Sequence, residues 1–263
     1  MSSMKNGLAG SLTSLIDEID TTQVISESAE IGEDCQIGRF VVIEDNVRIG
    51  DRVQIGDGTF IGEGSRIGCD TVIGARCSIR EHTWIGKRVV LEPGVVLGSD
   101  GFGFAQKVDG TQFKIPQVGI VEVGDDSRIG ARTTIDRATL GKTLLGERVA
   151  VGALVMIGHN VVIGNDCILQ SLCGVSGSTK IGQGVTIGFH AGLVGHLKVE
   201  EGCTIESCAG VTKSIAKNSH LKGVFPAMAP DLFDQQQEMI VNLPGLVERL
   251  EKLEQRSVTS DRA

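Results

Sequence analysis

The chain of 263 residues is poor in aromatic side chains, with no tyrosine, one tryptophan and eight phenylalanines. A narrow core filled by isoleucine, valine and leucine has no room for rings, so this scarcity favours such a core. No apolar run approaches the roughly 20 residues that span a bilayer. The segment from Met1 to Asp20 also lacks the continuous apolar stretch of a signal peptide. We therefore expect a cytoplasmic protein without a transmembrane segment.

The cysteines and the net charge exclude further classes of protein. The seven cysteines are odd in number and show no Cys-x-x-Cys spacing. A disulfide framework and zinc ligation are therefore both disfavoured, and reduced, mostly buried thiols are expected. The formal net charge of −8 argues against a nucleic-acid partner, which requires a basic face.

Aliphatic side chains occupy every sixth position in two long runs, from Ile31 to Leu97 and from Leu145 to Val211. A period of six fits neither an α-helix nor a continuous strand, but it fits a short strand and a turn with one side chain pointing inward. This pattern predicts an all-β solenoid, the hexapeptide form of the parallel β-helix. Three hexads form one triangular coil, and the whole pattern predicts roughly nine coils spaced about 4.8 Å apart.

Glycine is abundant, with 36 residues, and many of these glycines directly follow the inward residue as Ile-Gly. Turns often need a positive φ, which glycine adopts without steric cost. We therefore expect the Ile-Gly glycines to provide the positive φ of the corners.

Three segments are predicted along the chain. Residues 1–25 are a short leader with one weak amphipathic helix. Residues 26–224 form the β-helix, with a glycine- and phenylalanine-rich loop inserted near 98–117 and a register slip near Gly141. Residues 225–263 form a helical cap and tail that covers the open end of the solenoid.

Two C-terminal helices are predicted. The first begins at Pro230 and continues to Val241, and the second has Pro244 at its first position. The second helix has an apolar stripe of Leu243, Leu246, Val247, Leu250 and Leu253.

One column of outward residues offers an imidazole, a glycine amide, a second imidazole and an ammonium group. His159 lies two residues past an inward position and therefore at a corner. Successive steps of 18 residues, one coil each, lead to Gly177, to Gly195 beside His196, and to Lys213. A neutral imidazole is a competent general base at pH 7, and a glycine amide can donate to an oxyanion that approaches closely. The column predicts a catalytic site.

The remaining histidines, His82, His190 and His220, are interpreted as structural or surface residues. A metal site is the alternative for the histidines. His190 and His196, however, are six residues apart and fall on different corners of one coil. We therefore expect no bound metal.

Several strings resemble the UDP-3-O-acylglucosamine N-acyltransferase family of lipid A biosynthesis, one family of hexapeptide acyltransferases. The resemblance covers roughly residues 22–255. The matching strings are Gly98-Ser99-Asp100-Gly101-Phe102-Gly103-Phe104, Thr133-Thr134-Ile135-Asp136-Arg137, His159-Asn160-Val161-Val162-Ile163-Gly164, Gly177-Ser178-Thr179-Lys180-Ile181-Gly182, Gly195-His196 and Gly210-Val211-Thr212-Lys213-Ser214.

This resemblance implies a left-handed β-helix and a homotrimer with clefts between subunits. It also implies transfer of a 3-hydroxyacyl chain from acyl carrier protein to the 2-amino group of UDP-3-O-acylglucosamine, with the carrier thioester as co-substrate and no cofactor. In this reaction His159 matches the general base, Gly177 the backbone donor to the oxyanion, and His196 the second active-site histidine. The predicted substrate-binding residues are Asn160, Phe102, Phe104 and Lys213.

The sequence departs from the family pattern in several respects. A short leader stands where the family has a globular domain that helps to hold uridine, so we expect that domain to be lacking. Gly152 stands where an aspartate orients the catalytic histidine, and its neighbour Ala153 replaces asparagine. Asp136 and Asp166 are the candidates to substitute for that carboxylate. Met156 replaces a glutamine and makes the cleft less polar.

Two alternatives to this function stay open. The first is an acetyl-CoA-dependent acetyltransferase that acts on another amino sugar. The second is a non-catalytic trimeric paralogue. A basic patch for an acidic carrier protein is also a candidate, although each of its members could equally be an ordinary solvated charge. The members of this patch are Lys213, Lys217, Lys222 and Arg249.

Overall fold

A computed structural model of the protein describes residues 23–223 and 229–260. The chain divides into two compact units, Met1–Gly223 and Val224–Ala263, each of which is described by itself. Most of the predicted leader, including its amphipathic helix, and the start of the predicted helical cap lie outside the described residues. The described part of the first unit is a parallel β-helix whose strands, mostly two residues long, stack into three sheets.

The three sheets, named A, B and C, are listed here in stacking order. Sheet A contains β1 Val24–Ile25, β4 Val42–Ile43, β7 Phe60–Ile61, β10 Ser78–Ile79, β13 Val96–Ser99, β18 Thr134–Asp136, β21 Met156–Ile157, β24 Gly174–Val175, β27 Gly192–Leu193 and β30 Gly210–Val211. Sheet B contains β2 Glu30–Ile31, β5 Arg48–Ile49, β8 Arg66–Ile67, β11 Trp84–Ile85, β16 Ile120–Val123, β19 Lys142–Leu145, β22 Val162–Ile163, β25 Lys180–Ile181 and β28 Lys198–Val199. Sheet C contains β3 Gln36–Ile37, β6 Gln54–Ile55, β9 Val72–Ile73, β12 Val90–Leu91, β17 Arg128–Ile129, β20 Ala150–Val151, β23 Ile168–Leu169, β26 Thr186–Ile187, β29 Thr204–Ile205 and β31 His220–Leu221.

The register between coils confirms the 18-residue period and both interruptions. Ile43 pairs with Ile61, one regular coil later. Ile85 pairs with Val123, 38 residues later, because the chain leaves the solenoid between these two positions. The excursion contains an antiparallel hairpin, β14 Phe104–Gln106 and β15 Gln112–Lys114, which the periodicity did not predict. Val123 pairs with Leu145, 22 residues later, so four extra residues are accommodated at the predicted slip.

The core contains two inward residues per hexad, whereas the periodicity identified one. The second inward position lies two residues before the first, and side chains such as Val47 and Ile49 are both buried there. Small polar residues also occupy this second position. Thr59, for example, donates its hydroxyl to the Gly74 carbonyl (2.9 Å) and accepts from the Cys77 amide (3.2 Å), so its burial leaves no unpaired polar atom.

All seven cysteines lie within the described residues, and none forms a disulfide. The four that are buried are Cys77, Cys167, Cys173 and Cys203. Burial raises the pKa of the Cys173 thiol to about 12, which keeps it protonated at neutral pH.

The prediction that the Ile-Gly glycines provide the positive φ of the corners was wrong. The positive φ of each corner falls later in the hexad, mostly on polar residues such as Asn46 (φ 58°) and Arg52 (φ 58°). The glycine after the inward residue is needed because the next coil passes close to it. A β-carbon on Gly56 would lie only 2.5 Å from the Ala75 amide nitrogen, so these glycines allow the coils to stack.

A column of alternating charges runs along the corner between sheets B and C. Within it, Arg52 forms paired hydrogen bonds with Asp70, Arg88 with Asp126, and Arg148 with Asp166. The column continues across both insertions, and this confirms that the insertions leave the stacking of that corner intact.

The second unit contains one helix, α1 Pro230–Ser260, instead of the two predicted helices. Pro244 lies inside it and removes a single backbone donor, the one that would reach the carbonyl of Ile240. Because the helix is exposed, water can satisfy that carbonyl, and the helix continues on both sides of the proline. The cap function stays a prediction. Over the described residues, no helix combines the length and the apolar character needed to cross a bilayer.

Candidate functional site

The candidate site lies at the corner between sheets A and B, where the chain leaves β21 and enters β22. Ile157 ends β21 with its side chain in the core, and His159 follows two residues later, half-buried at the corner. Gly158 has no room for a side chain, since a β-carbon there would lie 2.8 Å from the Gly177 amide nitrogen. Asn160 then takes the positive φ (59°), which asparagine tolerates well. The local sequence therefore directs the imidazole outward.

The His159 imidazole is held between two glycines. A β-carbon on Gly101, in the inserted loop, would lie 2.7 Å from the His159 Cβ. A β-carbon on Gly177, in the next coil, would lie 2.6 Å from His159 Nε2. Neither glycine adopts a positive φ, so both are required by the close approach of the ring. The inserted loop and the neighbouring coil thus fix the position of the imidazole.

The Gly177 amide is available to a ligand. At other corners, a side chain of the next coil accepts the equivalent amide: Asp51 accepts from Glu33 (3.0 Å), and Asn165 accepts from Glu147 (3.0 Å). Above Gly177 the equivalent residue is Gly195, which has no side chain. Among residues 23–223 and 229–260, no acceptor forms a hydrogen bond with the Gly177 N–H. This donor adjoins the imidazole, as an oxyanion donor should adjoin a general base.

Asn160 connects the imidazole to the four-residue insertion between β18 and β19. Its Oδ1 lies 3.2 Å from His159 Nδ1 and accepts a hydrogen bond from the Thr139 amide (2.9 Å). Its Nδ2 donates to the Leu140 carbonyl (2.9 Å), and its backbone amide donates to the Thr143 hydroxyl (2.9 Å). Both amide groups of Asn160 are therefore engaged by the protein, and its predicted role in substrate binding stays a prediction.

Position 152 cannot hold the aspartate of the family pattern. A β-carbon on Gly152 would lie 2.4 Å from the Ser171 amide nitrogen, so the backbone of the next coil excludes any side chain there. Of the two candidate substitutes, Asp166 is occupied by its paired hydrogen bonds with Arg148. Asp136 is the carboxylate within electrostatic reach of His159.

Asp136 ends β18, one coil before Gly158, and accepts a hydrogen bond from the Ser99 hydroxyl (2.8 Å). Partial burial raises the pKa of the Asp136 carboxyl above its usual value of 3.8, although Ser99 and His159 act in the opposite direction. Asp136 therefore adds negative charge beside the imidazole without a direct hydrogen bond to it.

The other predicted site residues lie on the same side of the solenoid. His196 is exposed at the same corner, and its amide donates to the Gly177 carbonyl (3.0 Å). Lys213 is exposed farther along the column. Phe102 and Phe104 lie in the inserted loop with their ring centroids 5.1 Å apart, and Phe102 is 87% exposed. The structure thus brings His159 and Gly177 into contact, and the other four residues extend the site away from them.

Two members of the predicted basic patch differ from the others in an ion pair or in the unit to which they belong. Lys217 is ion-paired with Glu201, and Arg249 belongs to the separate helical unit. Within the described part of the chain, no group of three or more histidine, cysteine, aspartate or glutamate side chains is arranged to hold a metal. The absence of a metal and of a cofactor in the reaction stays a prediction.

The periodicity missed the residues that support the loop. Arg137 is buried, donates to the Gly98 carbonyl (2.7 Å) and pairs with Glu81 (2.9 Å), so it ties the base of the inserted loop to the solenoid. The Thr139 hydroxyl donates to Gln117 Oε1 (2.9 Å), which joins the loop to the four-residue insertion. The signal in the sequence that could have indicated these contacts is that the loop near 98–117 and the slip near Gly141 interrupt the repeat close to each other.

An open strip lies on the outer face of sheet A beside this corner. Gly174, Gly192 and Gly210 pair in consecutive coils, and a β-carbon on any of them would meet nothing within 4 Å. None of the three has a positive φ, so neither backbone conformation nor close packing requires glycine. Exposed Met156 adjoins Gly174 at one end of the strip. The glycines leave an open strip of backbone along sheet A that begins one coil after Met156.

Comparison with known proteins links this geometry to the bacterial transferases. The family model described as "Bacterial transferase hexapeptide (six repeats)" matches residues 28–63, 64–99 and 142–177. A UDP-3-O-acylglucosamine N-acyltransferase of Bordetella pertussis (strain Tohama I) is 38% identical over 187 residues, which are 70% of this chain and 52% of the relative. One from Methylorubrum populi is 41% identical over 142 residues, 54% of this chain and 40% of the relative. The chain thus spans about half the length of these curated relatives.

Solved structures share the fold. A UDP-N-acetylglucosamine O-acyltransferase from Moraxella catarrhalis has a TM-score of 0.62 and 22% identity, covering 89% of this chain and 92% of its own. A UDP-N-acetylglucosamine acyltransferase from Bacteroides fragilis has a TM-score of 0.58 and 25% identity, covering 76% of this chain and 69% of its own. The predicted left-handed parallel β-helix is confirmed. This chain contains hexapeptide repeats and is similar in sequence to the UDP-3-O-acylglucosamine N-acyltransferases, as its motifs predict.

Proposed function

We propose that this protein is an acyltransferase that moves a 3-hydroxyacyl chain from acyl carrier protein to the 2-amino group of UDP-3-O-acylglucosamine in lipid A biosynthesis. The observation that carries the proposal is the contact between the His159 imidazole and Gly177, whose N–H has no acceptor among the described residues. Curated relatives that are 38% and 41% identical over part of this chain carry the name UDP-3-O-acylglucosamine N-acyltransferase, which supports this proposal. Both proposed substrates are consistent with a cytoplasmic protein, and no cofactor is required.

In the proposed mechanism, His159 Nε2 accepts a proton from the substrate amine as the nitrogen attacks the thioester carbonyl carbon. The carbonyl oxygen becomes an oxyanion, and the Gly177 N–H donates a hydrogen bond to it. The tetrahedral intermediate collapses, the carbon–sulfur bond breaks and the imidazolium returns its proton to the leaving thiolate. The products are an amide and a free thiol, and His159 regains its neutral form.

The site residues that lie away from His159 have the chemistry to bind the polar sugar nucleotide and the apolar acyl chain. His196 and exposed Lys213 can bind the polar sugar and its phosphates, since ammonium and imidazole groups are donors to phosphate. Phe102 and Phe104 offer apolar surface at the mouth of the site. The glycine strip on sheet A offers an unobstructed path along which an extended acyl chain can cross successive coils, because a β-carbon at Gly192 or Gly210 would meet nothing within 4 Å.

The proposal includes a homotrimer in which subunits enclose the site. Leu154 and Leu172 occupy the same corner in adjacent coils, both are exposed, and both have a positive φ of about 60°. A leucine in this conformation costs roughly 1 kcal/mol, and its exposure gains nothing within one chain. Burial against a second copy offsets both penalties. Measurement of the molar mass in solution tests this: three chains are expected, and a monomer would contradict it.

The decisive experiment measures acyl transfer with purified protein, 3-hydroxyacyl carrier protein and UDP-3-O-acylglucosamine. Wild-type turnover is expected, and the His159→Ala variant should lose it while keeping the oligomeric state. The matched control is His190→Asn, which changes another corner histidine and keeps a residue that tolerates its positive φ (60°). A parallel reaction with acetyl-CoA tests the acetyltransferase alternative.

Turnover retained by His159→Ala would refute the proposed base. Acetyl transfer in place of long-chain transfer would assign the same site to another amino sugar. A wild-type protein that is folded, trimeric and inactive with both donors would instead support a non-catalytic paralogue.

A further inference from the structure

We infer that Asn160 is a positioning residue that keeps the proton of neutral His159 on Nδ1 and thereby leaves Nε2 free as the base. The catalytic consequence rests on the proposed function, but the position of the proton is a property of the unliganded protein. Asn160 thus takes the orienting role that position 152, where no side chain fits, cannot perform.

The orientation of the Asn160 amide is fixed by two backbone groups. The Thr139 N–H can only donate, and it lies 2.9 Å from Asn160 Oδ1. The Leu140 carbonyl can only accept, and it lies 2.9 Å from Asn160 Nδ2. If the side-chain oxygen and nitrogen of Asn160 were exchanged, its NH2 group would face the Thr139 N–H, which is also a donor. Its oxygen would face the Leu140 carbonyl, which is also an acceptor. Oδ1 therefore faces the imidazole.

This orientation determines the tautomer of His159. Its Nδ1 lies 3.2 Å from Asn160 Oδ1, and an amide oxygen cannot donate a hydrogen bond. The contact is a hydrogen bond only if Nδ1 carries the proton. In a neutral imidazole the other nitrogen then has a lone pair. That nitrogen, Nε2, is the atom beside Gly177, where the proposed reaction needs a base.

The four-residue insertion between β18 and β19 provides the two backbone groups that hold the Asn160 side chain. Both Thr139 and Leu140 belong to it, and the regular coils have no equivalent residues. Buried Thr143, just after the insertion, accepts the backbone amide of Asn160 (2.9 Å) and fixes its main chain. Asn46 and Asn218 occupy corners with the same positive φ, but within the described residues neither side-chain amide forms such a pair of backbone hydrogen bonds.

The neutral amide distinguishes this arrangement from a carboxylate–histidine pair. The charged group within electrostatic reach of the imidazole is Asp136 from β18. Asp100 of the inserted loop interacts in turn with Asp136 and is ion-paired with Lys114. His196 is titratable and follows Gly195 in the next coil, where its amide donates to the Gly177 carbonyl. Asn160 orients the ring without adding a charge to this set. An Asn160→Asp substitution adds a negative charge next to Nδ1 and should raise the pKa of His159.

The test is NMR of the full-length protein labelled with ¹⁵N-histidine, without substrate and at a pH above the titration of His159. The His159 signals, identified by their loss in His159→Ala, should show a protonated Nδ1 and an unprotonated Nε2. In Asn160→Ala the proton should move toward Nε2. In Asn160→Asp it should stay on Nδ1, and the His159 titration should move to higher pH. Asn165→Ala, which removes another asparagine that caps a corner, should leave the His159 signals unchanged.

Activity assays separate positioning from substrate binding. The Asn160→Ala variant should have kcat reduced about 10²-fold, because a histidine in the wrong tautomer cannot act as the base, with KM nearly unchanged. The acid limb of the pH–rate profile should move to higher pH in Asn160→Asp. A rise in KM alone would assign Asn160 to the substrate instead.

A proton on Nε2 in the wild-type protein, or an unchanged tautomer in Asn160→Ala, would overturn the inference. Because the tautomer is observed without substrate, an inactive protein with a proton on Nδ1 would refute the proposed function and leave this inference standing. If Asn160→Ala fails to fold, the tautomer of the wild-type protein still decides the question.

Discussion

The Nε2 atom of His159 lies 2.6 Å from the point that a β-carbon of Gly177 would occupy. A methyl group at position 177 must therefore displace the imidazole. Misplacement of a catalytic group by about 1 Å can cost roughly 10²-fold in rate, so kcat of Gly177→Ala should fall by at least this factor. Steady-state kinetics measure the fall in kcat, and the thermal midpoint measures any accompanying loss of stability. Gly223→Ala is the control, because a β-carbon there meets nothing within 4 Å. Full activity in Gly177→Ala would show that the ring is not held as described.

The glycine strip should set the preferred length of the acyl chain. Gly192 lies in its middle, and the Gly192→Leu substitution would place an isobutyl group on the open strip. Turnover of carrier protein loaded with long 3-hydroxyacyl chains should fall relative to carrier protein loaded with short ones, because the added side chain blocks the part of the strip beyond Gly192. The ratio of kcat/KM for long and short donors measures this effect. Equal losses for both donors would argue against an acyl chain on this strip.

The stacking role of the Ile-Gly glycines is tested by a pair of variants in one corner. Gly56→Ala places a β-carbon 2.5 Å from the Ala75 amide nitrogen and should lower the free energy of unfolding by about 1–3 kcal/mol. In this corner the positive φ (68°) falls on Gly58. The Gly58→Asn substitution should change the free energy of unfolding by less than about 0.5 kcal/mol, since asparagine occupies equivalent corners. Urea denaturation measures both values. The reverse ranking would restore positive φ as the reason for the Ile-Gly glycines.

Asp136 should make stability depend on pH in an unusual direction. Its pKa is raised by burial, so the folded state disfavours the carboxylate, and this group's contribution to stability falls as pH rises from the usual value of 3.8 through the raised pKa. Asp136→Asn removes that penalty and should raise the thermal midpoint at pH 7. The difference from wild type should disappear below pH 3.8, where the acid is protonated in both states.

Asp166 provides a control of opposite sign for the same measurement. The hydrogen bond from Arg148 lowers the pKa of Asp166, so its contribution to stability is present above the usual value and is lost as pH falls through the lowered pKa. Asp166→Asn should therefore lower the thermal midpoint at pH 7. Midpoint shifts of the same sign for Asp136→Asn and Asp166→Asn would contradict the assignment of Asp136.

The repeat predicted the architecture because each inward position is decided locally. Ile157 and Ile163, for example, are both buried, as their spacing of six requires, and the 18-residue coil brings Gly177 beside His159. The prediction of two C-terminal helices failed at Pro244 because an exposed helix tolerates one missing backbone donor. The reason assigned to the Ile-Gly glycines failed because the spacing of coils is not visible within one hexad.

The sequence by itself determined the parallel β-helix, its two interruptions and the corner on which His159, Gly177 and His196 lie, since a strict period converts residue number into position. Only the tertiary structure decided which groups surround the imidazole. Gly101 and Asn160 meet His159 from different sides, and Thr139 and Leu140 reach Asn160 from an insertion that has no period. Those contacts depend on the path of the irregular segments, which is set by packing and hydrogen bonds between residues far apart in the chain.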